Sequence, residues 1–241
     1  VSNLELTQAY GVIANGGKLQ KAKFFSKIID QNGKVLIDTT EDEATQVMKE
    51  STAYLLTDAM RESMESKRAF ASDVRVSSTS TRAHFDGMSQ AGKSGTTSNN
   101  RDIWFVGFTP YYLAGVWGGC DENQVLKDAG SGEYNGGTGF HKDIWRKIMA
   151  KIHEGKADIG FEKPDSIVEE KVCRKSGLLP TSGCYNDYRG SAVITELFAK
   201  GTVPTEKCDY HTSWGAMLVP ENLRDLDTDD HYYRYQPEET E

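Results

Sequence analysis

The chain has 241 residues, 37% of them hydrophobic and 27% charged, which is ordinary for a globular protein with one substantial core. Its formal net charge of −8 excludes the basic field that nucleic-acid binding requires. Acidic residues concentrate in the segment 221–241, which we expect to be a solvated tail. The sequence shows neither an apolar stretch near the roughly 20 residues of a membrane span nor a signal peptide at Val1. We therefore expect a fragment whose targeting and anchoring segments lie upstream.

The N-terminal region predicts a helix followed by a hairpin. Ser2 and Glu5 have capping-box spacing and precede apolar residues at helical intervals. Residues 22–30 and 35–38 are predicted strands, joined by an Asn-Gly turn at 31–34.

The middle of the chain predicts a second helix and then a loop. Ser51 or Thr52 is the expected cap of the helix, because apolar residues follow at helical spacing. Residues 65–91 are polar with little periodicity and are predicted to form a loop leading into a strand.

A buried hairpin is predicted from two apolar runs, at 103–108 and 113–117, and a third helix from the periodicity over 144–152. Beyond about residue 156 the pattern is irregular. We expect Trp104, Trp117 and Trp145 to lie in the core. The histidines at 84, 141, 153 and 231 are expected at the surface.

One segment matches two different motifs. Residues 87–94 fit the P-loop pattern G-x-x-x-x-G-K-[ST], which requires a buried strand before it and a helix after it. The preceding residues are mostly polar, and the residues after Ser94 form a poor helix start. The context therefore argues against nucleotide binding.

The same residues also read Lys93-Ser94-Gly95-Thr96-Thr97 at a strand edge, and Lys-[Ser/Thr]-Gly is a signature of penicillin-recognising serine acyltransferases. A lysine there supplies fixed positive charge beside a serine nucleophile and an anionic substrate. Glycine leaves room for the substrate backbone against the strand. The amide of the next threonine can donate to an oxyanion, and its hydroxyl can bind a carboxylate.

The surroundings of this motif resemble class A penicillin-binding proteins of the Gram-positive type. The segments that carry the resemblance are ELTQAY (5–10), ANGG (14–17), AYLLTDAM (53–60), AGKSGTT (91–97), RDIWFVGFTP (101–110) and VWGG (116–119). Ser94 departs from the usual threonine but keeps a hydroxyl. The resemblance implies an α/β fold, part of a serine β-lactamase/transpeptidase-like domain with an antiparallel sheet flanked by helices. It covers 1–155 firmly; we expect a cysteine-containing extension over 156–220 and the tail over 221–241.

The nucleophile of that family lies in Ser-x-x-Lys, and no lysine in this sequence has a serine three residues before it. Ser98-Asn99-Asn100 fits a second signature, Ser-x-Asn, but the family's copy lies upstream of the first helix, so we treat this match as chance. The resemblance implies that both motifs and a glycosyltransferase domain precede Val1. This chain alone should therefore be inactive.

The resemblance further implies a D,D-transpeptidase that cross-links peptidoglycan stem peptides ending in D-Ala-D-Ala. It also implies that β-lactams acylate the enzyme and that no cofactor is needed. The expected location is the outer face of the cytoplasmic membrane. Lys93 and Ser94 would serve the polar network around the serine, Thr96 the oxyanion and substrate carboxylate, and Gly95 and Thr97 the substrate-binding edge. A D,D-carboxypeptidase, a β-lactamase relative and a non-catalytic wall-binding module remain alternatives.

Three of the four cysteines lie within 36 residues. Cys173, Cys184, Cys208 and His211 are candidate zinc ligands, although their spacing is irregular. Because the family works outside the cytoplasm, the sequence favours a disulfide among the three cysteines over a zinc site, with free buried cysteines as a third alternative, and we expect no metal.

Overall fold

A computed structural model describes residues 1–40, 44–68, 75–122, 124–126, 139–187 and 190–211. The described residues form two compact units. The first unit comprises Val1–Glu65 and Ser78–Pro164, and the second comprises Ser66–Ser77 together with the residues from Asp165 onwards. The sequence predicted a boundary at residue 155, nine residues before this division, and did not anticipate that Ser66–Ser77 belongs to the second unit. The predicted tail at 221–241 lies outside the described residues.

The helices and strands are numbered in chain order. The helices are α1 Asn3–Ala14, α2 Glu50–Glu62, α3 Phe140–Ile152 and α4 Ser182–Tyr185, with 3₁₀ turns at Thr81–Ala83 and Ser98–Asn100. The strands are β1 Lys18–Leu19, β2 Lys27–Ile29, β3 Val35–Asp38, β4 Thr45–Gln46, β5 Ser66–Arg68, β6 Arg75–Ser77, β7 Ala91–Thr96, β8 Ile103–Phe108, β9 Leu113–Gly118, β10 Ile167–Cys173 and β11 Val193–Ala199.

An antiparallel sheet in the order β7-β8-β9 forms the centre of the first unit. Strand β8 is almost entirely buried because helices cover both faces. On one face Trp145 of α3 packs against Phe105 with ring centroids 5.1 Å apart. On the other face Tyr10 of α1 and Met60 of α2 pack around Phe108. The unit is thus a three-layer α/β arrangement, and the predicted fold class is confirmed.

The N-terminal predictions hold, with a change in one boundary. The Ser2–Glu5 capping box is present at the start of α1. The hairpin forms between β2 and β3, but β2 starts at Lys27 rather than at residue 22. Its turn is closed by the Asp30 carboxylate, which accepts hydrogen bonds from two backbone amides of the turn.

Helix α2 starts earlier than the sequence suggested. Its N-cap is Lys49, whose side chain makes no capping hydrogen bond, so the prediction of Ser51 or Thr52 as cap was wrong. The apolar face rather than the cap fixes this helix, since Ala53 and Met60 are buried. Among the described residues no helix is long and apolar enough to cross a membrane.

The two regions predicted to be irregular contain regular structure. Strands β5 and β6 pair within the predicted loop at 65–91, and β10 pairs with β11 beyond residue 156. Glu169, Glu170 and Lys171 interrupt the apolar pattern of β10, which concealed the strand from a periodicity test.

Burial of the aromatic side chains also differs in part from expectation. Trp145 is fully buried, whereas Trp117 is 39% exposed because it lies on a face of the sheet that α3 does not cover. His141 and His153 are buried, against the expectation that they lie at the surface. His153 is held between the carbonyl of Met149 and the hydroxyl of Thr109. His231 lies outside the described residues.

Candidate active-site strand

The Lys-Ser-Gly-Thr segment occupies β7, an edge strand. Among the described residues β7 pairs only with β8, so no described strand lies along its other edge, which we call the free edge. Lys93 and Thr96 are exposed, whereas Ala91 and Gly92, at the start of the strand, are buried. The motif therefore begins where the strand emerges from the core.

Hydrogen bonding shows which backbone groups face the free edge. The carbonyl of Gly92 accepts from the hydroxyls of Ser63, at 2.8 Å, and Ser80, at 3.5 Å, so it points away from β8. In an antiparallel pair the N–H and C=O groups of alternate residues point to opposite sides. The backbone N–H and C=O groups of Ser94 and Thr96 therefore also point to the free edge. The amide of Thr97 donates to Asp102 across the turn, as this alternation requires.

Positive charge lies along this edge. The ammonium of Lys93 donates a 2.8 Å hydrogen bond to the carbonyl of Ser94, one of the edge-facing groups. Burial lowers the pKa of Lys142, on α3, and the positive charges of Arg82 and Lys93 lower it further. Sequence reasoning missed Lys142 because it is far from the motif along the chain. The result is a group of cations that favours an anionic ligand.

Two glycines of the strand have different environments. A Cβ atom on Gly92 would lie 2.6 Å from Cζ of Phe105 and 3.3 Å from Sδ of Met64. A Cβ atom on Gly95 would lie 3.5 Å from Cβ of Trp104, which is ordinary contact. Internal packing thus requires glycine at 92 but not at 95. Glycine at 95 keeps the surface beside the strand open.

A polar network fixes the end of the strand. The hydroxyl of Thr97 accepts from the amide of Asp102 at 2.8 Å and donates to its carboxylate at 3.1 Å. The indole N–H of Trp117 donates to the same carboxylate at 3.0 Å. Asp102 therefore holds the β7–β8 turn and orients Trp117, which packs against Trp104. These aromatic rings lie on the face that carries Lys93 and Gly95, and the sequence had assigned them to the core.

Neither the P-loop match at residues 87–94 nor the Ser-x-Asn match at Ser98–Asn100 has structural support. Strand β7 continues through Ser94 to Thr96, where a P-loop would begin its helix, so the fold lacks a phosphate-binding helix N-terminus there. The Ser98–Asn100 segment is a 3₁₀ turn in which Asn99 and Asn100 have positive φ angles. It connects β7 to β8, and this turn role accounts for its residues.

The four cysteine and histidine candidates come together in the second unit. Cys173 ends β10, Cys184 lies in α4, and Cys208 and His211 follow β11; all four are buried. The three cysteines are free thiols, so the disulfide favoured by the sequence is not formed. The reason is geometric, because the three sulfur atoms converge with an imidazole rather than as a pair.

Two family models match the chain. Residues 1–120 match the penicillin-binding protein transpeptidase domain, and residues 163–213 match the C-terminal domain of penicillin-binding protein 1A. Together with the sheet described above, these matches define the class: the chain belongs to the penicillin-binding proteins and carries part of their transpeptidase domain.

Comparison with individual penicillin-binding proteins indicates which type the chain resembles. The chain is 35% identical over 208 residues to penicillin-binding protein 1A of Clostridium perfringens, an alignment that covers 86% of this chain and 23% of the relative. It is thus similar to about a quarter of that protein. The predicted resemblance to the class A, Gram-positive type is confirmed.

Solved structures share the fold. Penicillin-binding protein 1A from Haemophilus influenzae matches with a TM-score of 0.67 and 23% identity, covering 86% of this chain and 33% of that one. PonA1 from Mycobacterium tuberculosis, in a structure with penicillin V, matches with a TM-score of 0.53 and 28% identity. That match covers 66% of this chain and 40% of PonA1.

Proposed function

We propose that this chain supplies the substrate-binding strand of a peptidoglycan D,D-transpeptidase, whose serine nucleophile comes from a part of the protein outside these residues. The observation that carries the proposal is the free edge of β7, on which the backbone groups of Ser94 and Thr96 face outward beside Lys93. An extended peptide can add to such an edge through main-chain hydrogen bonds. A stem peptide ending in D-Ala-D-Ala has the required backbone and a terminal carboxylate.

The roles of the residues follow from their positions. The outward amide of Thr96 donates to the oxyanion that forms when the serine attacks the substrate carbonyl. The hydroxyl of Thr96 and the ammonium of Lys93 bind the substrate carboxylate and hold the serine's polar surroundings. Lys142 adds positive charge to the same region, whereas the charge of the neighbouring Arg82 is paired with Asp143. Ser94 presents backbone groups to the peptide, and Gly95 leaves space for it. Thr97 sets the geometry of the strand end through Asp102.

β-Lactams are the second class of ligand in this proposal, because they acylate serine enzymes of this family and carry a comparable carboxylate. The related PonA1 structure holds penicillin V. We place the intact protein at the outer face of the cytoplasmic membrane, where peptidoglycan is cross-linked, held there by an anchor outside these residues.

The test is covalent labelling by a fluorescent penicillin. The intact protein should label, whereas a preparation of residues 1–241 alone should not, because acylation requires the serine. In the intact protein Lys93→Ala should slow acylation about 100-fold or more, as does the removal of a preorganised donor. Lys18→Ala, at an exposed lysine on β1, is the matched control and should label at the normal rate. Stoichiometric labelling of the isolated chain would overturn the proposal.

A further inference from the structure

The second unit has an unusual interior. Its buried cluster consists of Cys173, Cys184 and Cys208, with Val193 packed against it. His211 and Asp187 are buried beside them. Among the described residues of this unit the other buried apolar side chains are Ile167, Val172 and Ala192, a small apolar core. Small domains with little apolar core are usually held by disulfides or metals. Because the described thiols are free, the disulfide option is not used.

The potential ligand atoms lie at the separations of a tetrahedral site. Nδ1 of His211 is 3.2 Å from Sγ of Cys173 and 3.6 Å from Sγ of Cys208. Zinc–sulfur and zinc–nitrogen bonds of about 2.3 and 2.05 Å at tetrahedral angles place sulfur and nitrogen about 3.6 Å apart. All four ligand atoms, including that of Cys184, lie within 4.8 Å of one another. One ion at their centre would reach all of them.

Backbone amides donate hydrogen bonds to the three cysteine sulfur atoms. A backbone amide donates to every sulfur: that of Lys175 to Cys173, that of Thr181 to Cys184 and that of His211 to Cys208, at 3.3–3.4 Å. Such donors stabilise thiolates, the form of cysteine that binds a metal. They arise from two tight turns and a short helix, so the chain fold itself directs them at the sulfurs.

The histidine is oriented by a carboxylate. Nε2 of His211 donates to the Asp187 carboxylate at 2.7 Å, and both side chains are almost completely buried. This bond fixes the proton on Nε2 and leaves the lone pair of Nδ1 directed at the sulfurs. A carboxylate on the distal nitrogen is the usual second partner of a metal-bound histidine. A buried carboxylate also needs compensating positive charge, which a divalent cation beside it would provide.

We propose that Cys173, Cys184, Cys208 and His211 bind one Zn²⁺ ion, with Asp187 positioning the histidine. Four protein ligands fill the tetrahedral coordination, so the site is structural and has no open position for catalysis. The ion ties the end of β10, helix α4 and the segment after β11 into one unit. This proposal departs from the expectation, drawn from the irregular spacing along the chain, that no metal binds.

Metal content of the intact protein tests the proposal. The double variant Cys184→Ser/Cys208→Ser should contain one zinc per chain fewer than the parent, measured by mass spectrometry after dialysis. Cys120→Ser removes an exposed cysteine of the first unit and should retain the parent's zinc. An equal zinc content in parent and double variant would overturn the proposal. So would a parent whose cysteines 173, 184 and 208 are found as a disulfide or as metal-free thiols.

A second measurement avoids dependence on the folding of the double variant. Asp187→Asn leaves all four ligands in place but weakens the carboxylate that orients His211, so zinc should be lost at about 10- to 100-fold lower chelator concentration. Asp165→Asn, at an exposed residue of the same unit that precedes β10, is the matched control. Cobalt bound to the parent should show the visible absorption of a tetrahedral thiolate site. An octahedral cobalt spectrum, or unchanged chelator resistance in Asp187→Asn, would contradict the assignment.

Discussion

Alanine substitutions at Gly92 and Gly95 should affect the free energy of unfolding differently, although the two residues lie three positions apart on one strand. In Gly92→Ala the added methyl group would lie 2.6 Å from the ring of Phe105, well inside ordinary contact. Overpacking of a buried site costs about 1–3 kcal/mol, and we expect the free energy of unfolding to fall by that amount. In Gly95→Ala the methyl would make ordinary contact with Trp104 at 3.5 Å. Stability should then be unchanged or should rise by up to about 0.5–1 kcal/mol.

Although Gly95→Ala should not lower the stability, it should lower the rate of acylation. A methyl group there occupies the space beside the strand that the proposal assigns to the bound peptide. A displacement of about 1 Å at the reacting centre reduces rates about 100-fold, and we expect a loss of that order in acylation by penicillin.

The assay pairs denaturant unfolding with stopped-flow acylation in the intact protein. Gly95→Ala should retain its unfolding midpoint and lose acylation, whereas Gly92→Ala should lose stability. If Gly95→Ala acylated at the parent rate, the substrate would not lie against this strand. If Gly95→Ala lost as much stability as Gly92→Ala, the distinction between the two glycines would be wrong.

Three further substitutions test the hydrogen bonds made by single polar side chains. Thr96→Val keeps the backbone amide but removes a hydroxyl worth about 1.5–3 kcal/mol towards a charged group, so acylation by carboxylate-bearing penicillins should fall about 10- to 150-fold. A thioester substrate without the carboxylate should lose much less; equal losses would remove the carboxylate role. Thr109→Val removes the 2.8 Å partner of the buried His153 ring and the acceptor of the Tyr111 and Tyr112 amides, and it should lower the unfolding free energy by about 1–3 kcal/mol, against no change for the exposed Thr202→Val. Hydrogen bonding to Arg82 lowers the pKa of Asp143, so its contribution is fully present above the ordinary pKa of an aspartate, about 3.9, and is lost as the pH falls through the lowered pKa. Asp143→Asn should therefore cost about 0.5–1 kcal/mol at pH 7, and the cost should shrink as the unfolding is measured at successively lower pH; a cost that stays constant down to the acid limit of folding would contradict this.

The sequence correctly predicted those elements that depend on interactions between residues close together in the chain. The capping box at Ser2 and the two apolar runs of β8 and β9 are visible in a few adjacent residues, and the structure has them. Lys93 to Thr97 form a contiguous motif, so the sequence located the whole edge strand. What it missed depends on contacts between distant residues. Lys142 lies near Lys93, and the buried His153 is hydrogen-bonded to Thr109. In each case the two residues are far apart in the sequence, so no short segment of the chain indicates the contact.

The cysteine cluster shows the same limit more sharply. The sequence identified the four candidate ligands but favoured a disulfide over zinc and free thiols, because the positions at which the sulfur atoms meet are set by the fold. The decisive partner, Asp187, was not among the candidates. Strands β10 and β11, which bring the cysteines together, were also hidden by charged residues in their alternation.

The uncovered edge of β7 has a consequence for the solubility of the protein. Outward N–H and C=O groups that can accept a substrate strand can equally accept a strand from another molecule, which is how edge-to-edge aggregation begins. The ammonium of Lys93 already occupies one of these carbonyls, that of Ser94, and charged residues on edge strands discourage such pairing. The lysine that the proposal assigns to the substrate should thus also discourage strand-to-strand association at this edge, whether or not a ligand is bound.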